Sequence, residues 1–159
     1  MNRTRKLWIV LLVALLTPAI YAEESFSYAD LQPSQGVERN VKACKYYGQE
    51  KQDKQAVASL INLLRDTTDS KVAVESAIAL GYIKENGAAT TALKDKIEST
   101  KDSDVVYASL IAILNITVQN KTYEPAAKQA LEYADQNHRS DEFVSDIIDR
   151  IKAKLRIFQ

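Results

Sequence analysis

Few residues of this chain are equipped for covalent or metal chemistry. There is one cysteine, Cys44, and one histidine, His138. A single thiol excludes an intramolecular disulfide and any multi-cysteine zinc site. Cys44 is a candidate redox thiol or intermolecular disulfide partner, and equally a small buried hydrophobe. Lys42 and Lys45 flank it, but helical neighbours one or two positions away point elsewhere. His138 falls in Gln136-Asn137-His138-Arg139, which reads as a loop, and one imidazole needs several carboxylates nearby to hold zinc. The acid pairs Asp141-Glu142 and Asp146/Asp149 read as a helix start and a solvated face. There is no Ser/His/Asp set with a nucleophile elbow, no Gly-rich phosphate loop and no His-Glu-x-x-His. Four glycines in 159 residues leave little for a backbone phosphate cradle. The expectation is a protein that is not an enzyme, with no catalytic residue, no metal and no cofactor.

The elements that carry these residues are helical. Gly and Pro total only four and three, and 46% of residues are hydrophobic, which excludes a disordered chain and favours helices. The length suits one domain. Basic and acidic residues balance at 21 each, so no electrostatic nucleic-acid binder is expected.

The first 22 residues read as a secretory signal peptide. Arg3, Arg5 and Lys6 precede an apolar run from Leu7 to Leu16, and Thr17-Pro18 breaks it before Ala19-Ile20-Tyr21-Ala22. Ten apolar residues are short for a bilayer span, which takes about 20. Cleavage is expected after Ala22, with Ala19 the alternative. Removing the leader takes the basic count from 21 to 18 against 21 acidic residues, a formal charge of −3. The expected location is periplasmic or secreted, with no stable membrane span after cleavage.

The rest of the chain repeats with an offset of 33. Asp69-Ser70-Lys71-Val72 returns as Asp102-Ser103-Asp104-Val105, and Ala79-Leu80 as Ala112-Ile113. Ala56, Leu60 and Leu64 return as Ala89, Leu93 and Ile97. Backwards, Gly81 maps onto Gly48 and Ala77 onto Cys44. Each unit reads as two helices: about 54–65 and 71–84, 88–98 and 103–118, 124–136 and 141–157, after a half unit at 37–48. Asp53, then Asp69 or Ser70, and Ser140 are the expected N-caps. Asn86-Gly87 is the expected helix stop, and Pro125 suits a first turn. On the last two helices, Ala126-Ala127, Ala130-Leu131 and Ala134 form one apolar face. Phe143-Val144, Ile147-Ile148, Ile151 and Leu155 form the other. Helix pairs stacked at this period predict an all-α fold, a short α-solenoid of about three and a half antiparallel pairs over 37–159. Residues 23–36 are expected to be an extended N-terminal segment.

Gly48 to Leu64 resembles the helix junction and first helix of bacterial HEAT-like repeats. Asp69-Ser70-Lys71-Val72, with Ala77 and Ala79-Leu80-Gly81-Tyr82-Ile83, resembles their second helix. The subtype is also found in phycobilisome-lyase-type repeats. The resemblance covers 37–118 well and 124–156 loosely. It implies a binding role rather than a chemistry, and the export signal argues against pigment attachment. The sequence departs from the pattern where Leu114 and Asp149 replace the glycine, and where Ala73 and Val106 replace the usual basic residue.

A further departure suggests a surface. With Val72, Ser76, Ala79, Leu80 and Ile83 in the core, Val74, Ile78 and Tyr82 make a second stripe at i, i+4, i+8. The next repeat supplies Tyr107 and Ile111, then Asn115. The flanking units are polar at these positions: Lys45 and Gln49 follow Val41 on one side, and the other has Glu142, Asp146 and Arg150. In HEAT-like architecture second helices line the concave face, so the two stripes would merge into one apolar patch with a polar rim. Val74, Ile78, Tyr82, Tyr107 and Ile111 are therefore the expected contacts for a protein or peptide partner. Two alternatives stand beside this. The segment Ser25–Gly36, with Phe26, Tyr28 and Leu31, could fold back over the patch, and the terminal repeats could mediate self-association.

Overall fold

The computed structural model describes residues 25–155. The expected signal peptide, residues 23 and 24 of the N-terminal segment and the last four residues of the expected domain lie outside them. The described residues are all-helical, with seven α-helices and no strand among them: α1 (Val37–Lys45), α2 (Val57–Asp66), α3 (Ser70–Ile83), α4 (Ala88–Ser99), α5 (Ser103–Asn120), α6 (Pro125–Asn137) and α7 (Glu142–Leu155). A π-helical turn, Tyr46–Glu50, continues α1, and a 3-10 turn, Lys54–Ala56, leads into α2. No helix among the described residues is long and apolar enough to cross a membrane.

Aspartates start α3, α5 and α7 and the 3-10 turn that leads into α2. Asp53 accepts from the Gln55 amide, Asp69 from Val72, and Asp102 from both Asp104 and Val105. Each satisfies amides that the first turn leaves without a helical partner. Pro125 opens α6 as expected. Two expected boundaries differ. Asp141, not Ser140, caps α7 by accepting from the Val144 amide at 3.1 Å. The left-handed stop of α3 is Lys84 at φ +61°, while Gly87, at φ +74°, is the residue before α4. One turn of loop separates the two jobs, and the glycine takes the second.

The helices pack in two rows. α2 lies on α3, α4 on α5 and α6 on α7. Within the rows, α1, α3, α5 and α7 contact one another in that order, and so do α2, α4 and α6. Between the rows runs one core that includes Leu60, Leu64, Leu80, Leu93, Ile97, Leu110, Ile116, Ile148 and Ile151. Each such side chain contributes about 2 kcal/mol on leaving water. All five expected core positions of the second unit, Val72, Ser76, Ala79, Leu80 and Ile83, are buried. One expected core position is wrong. Phe143 is 77% exposed, while Val144 beside it is fully buried. No further helix follows α7 to cover that side of it among the described residues.

The row spacing is set by small residues. A Cβ on Gly81 would stand 2.8 Å from the Cα of Ala112, and one on Gly48 would collide with Ala79 in the same way. The two contacts are one repeat apart.

Candidate functional site

Val74 and Ile78 on α3 face Tyr107, Ala108 and Ile111 on α5 across an open groove of about 530 Å³. Helical spacing of i, i+4 aligns each set on one ridge, and the parallel packing of α3 and α5 brings the ridges together. Val74, Ile78 and Ile111 are half-buried against the core, and Tyr107 is 40% exposed. Four of the five expected contact residues thus share one groove. Tyr82 belongs to the same ridge and is 44% exposed, but it does not line the groove.

One end of the groove carries a pair absent from the sequence expectation. Lys71 and Asp104 both line it, and both are exposed. They sit three residues before Val74 and Tyr107, so the same offset that aligned the stripes contained the signal for them. Ser70 also lines this end, and its hydroxyl hydrogen-bonds the Asp102 carboxylate. That bond, more than the backbone amides of Val105 and Asp104, holds the Asp102 carboxyl below the usual aspartate range. The Val144 amide, chief among its partners, likewise holds the Asp141 carboxyl below the usual range at the start of α7.

Residues 25–36 do not cover the groove. They contain two 3-10 turns, Tyr28–Asp30 and Pro33–Gln35, and both pack on α1. Asn40, buried on α1, donates to the carbonyls of Asp30 and Gln32 at 2.6 and 2.8 Å. Arg39 pairs with Asp30 at 3.0 Å and lies over the Phe26 ring. Tyr47 donates to the Phe26 carbonyl, and Tyr28 to Asp53 at 2.7 Å. The Arg39 contact pulls the Asp30 carboxyl down to about 2, and the bond to Asp53 pushes the Tyr28 hydroxyl up to about 12. The segment therefore closes the α1 end of the molecule. At the other end Arg139 bridges Asp135 and Asp149, and Lys152 joins Asp135 at 2.7 Å.

Cys44 is fully buried, with its Sγ 3.5 Å from the Ser76 hydroxyl. Burial pushes the thiol up to about 11, so very little thiolate exists near neutral pH. Its place matches Ala77 of the next repeat, also buried. His138 ends α6, where its Nε2 lies 3.3 Å from the Ile97 carbonyl and its ring tilts against Tyr133. Among the described residues no three His, Cys, Asp or Glu are grouped to hold a metal ion.

Comparison with family models, with curated proteins and with solved structures gives no match for this chain.

Proposed function

We propose that this chain is an exported, non-enzymatic protein-binding module. It is built as a short α-solenoid of HEAT-like type with about three and a half helix pairs. The two-row packing, in which each helix contacts its hairpin partner and the helix two positions on, supports the solenoid reading. So does the recurrence of the Gly–Ala contact one repeat apart. The observation that carries the function is the groove between α3 and α5. It is apolar along Val74, Ile78, Tyr107 and Ile111, and residues 25–36 lie elsewhere. Such a patch on a folded surface is a docking site in waiting.

The groove suits a helical segment of a partner protein. Two parallel ridges can take one further helix in their furrow or a facing pair of helices, at about 8–10 Å between axes. Burying the four side chains at about 25 cal/mol per Å² supplies a few kcal/mol, a modest affinity once the cost of association is met. Tyr107 combines apolar area with a polar tip and is the natural anchor.

A photo-crosslinking residue in place of Ile78 tests this, with Asn62 on the opposite row as control. Intermolecular products at position 78 and none at 62 support the reading. Only intramolecular products at position 78 contradict it.

A further inference from the structure

We propose that the partner seated in the α3–α5 groove is a second copy of this chain, paired groove to groove about a two-fold axis parallel to the two helices. This rests on the reading of that face as protein-binding and names its partner.

The argument is one of register. The 33-residue offset carries Lys71 onto Asp104, Val74 onto Tyr107, Ile78 onto Ile111 and Tyr82 onto Asn115. α3 and α5 run parallel, tied near their starts by the Ser70–Asp102 bond and, near the end of α3 and the middle of α5, by the Gly81–Ala112 contact. These contacts join residues 32 and 31 apart, so residues related by the 33-residue offset stand within about two positions, roughly 3 Å, of the same height on the two ridges. A two-fold axis along the groove lays α5 of one copy over α3 of the other with heights preserved. Each residue then faces its own counterpart, as an isologous interface requires.

Read from the N-terminal ends, the facing levels are complementary. Lys71 meets Asp104, and by symmetry this opposite-charge pair forms twice. Val74 meets Tyr107, Ile78 meets Ile111, and Tyr82 meets the polar Asn115. An axis running across the groove instead would reverse the heights. Lys71 would then meet the end of its own ridge at Glu85, which already pairs with Lys54, and Asp104 would meet Val118. The pattern thus selects one orientation, which is how charge fixes register at an interface.

The mass of the purified protein in solution, followed over a concentration series, tests the proposal with Lys71→Glu, Asp104→Lys and the double variant. Both positions are exposed, and helical circular dichroism checks that each variant is folded. The parent is expected to have twice the chain mass at high concentration. Each single reversal sets like charges opposite one another at two sites and is expected to weaken pairing about tenfold. The double variant restores opposite charges and the parent affinity. A monomer at every concentration overturns the proposal, as does a dimer indifferent to both reversals or a double variant as weak as the singles. The protein-binding reading fails separately, if position 78 yields no intermolecular crosslink of any kind.

Discussion

Gly81 lies so close to Ala112 that a Cβ on the glycine would stand 2.8 Å from the alanine Cα. This is a close approach of α3 to α5, the two helices whose ridges form the groove. Replacing Gly81 with Ala must push the two helices apart. Overpacking costs about 1–3 kcal/mol, and the better helix propensity of alanine returns up to about 1. The expected net result is a loss of about 1–2 kcal/mol in urea unfolding with an unchanged slope. A stabilised variant would mean the rows are not this tightly spaced.

Acid should weaken the fold through several carboxylates. Asp30 is lowered from 3.8 to about 2 by Arg39 and the Ser27 amide, and Asp102, Asp135, Asp141 and Asp149 are also lowered by their partners. A depressed folded-state value gives stability that is fully present above the unfolded value and lost as pH falls through the folded one. The melting temperature is therefore expected to hold from pH 7 to about pH 5 and to fall from about pH 4 towards pH 2. A melting temperature that rises on acidification through that window would contradict these contacts.

Cys44 should be inert in the native protein. With the thiol fully buried and pushed up to about 11, a soluble alkylating reagent at neutral pH reaches it only when the structure opens. Labelling is expected in denaturant and not in native buffer. Rapid native labelling would restore a redox role for this residue.

Phe143 and Ile148 should behave oppositely on truncation, although both belong to one apolar run on α7. Phe143→Ala is expected to change stability by no more than about 0.5 kcal/mol, because the ring is 77% exposed. Ile148→Ala empties a fully buried site and is expected to cost about 2–5 kcal/mol. Paired denaturant melts decide it, and a costly Phe143→Ala would place that ring in the core.

The helices were legible because their signals are local and repeated. Asp53, Asp69 and Asp102 mark starts by a mechanism that needs only the next few residues, and the 33-residue offset gave the core positions mutual support. Phe143 misled because a helix face is core only if another element covers it, and on the last helix the repeat offers no such element. Asn86-Gly87 was a stop signal in the right loop, but the structure uses Gly87 to begin α4. The groove residues Val74, Ile78, Tyr107 and Ile111 were legible as two stripes. Whether anything covered them was not, since residues 25–36 lie outside the repeat. Their position depends on buried Asn40 and on Arg39, whose side chains reach back across the sequence to Asp30 and Gln32.

The account depends most on the groove being a free surface rather than core. Ile78→Glu combined with Ile111→Glu tests it, with crosslinking read from Tyr107 and the thermal melt recorded in parallel. The expected result is a folded helical protein, destabilised by no more than about 2 kcal/mol, whose intermolecular crosslinks are gone. A variant that loses its helicity, or one that still crosslinks like the parent, would contradict the assignment of this groove as the binding face.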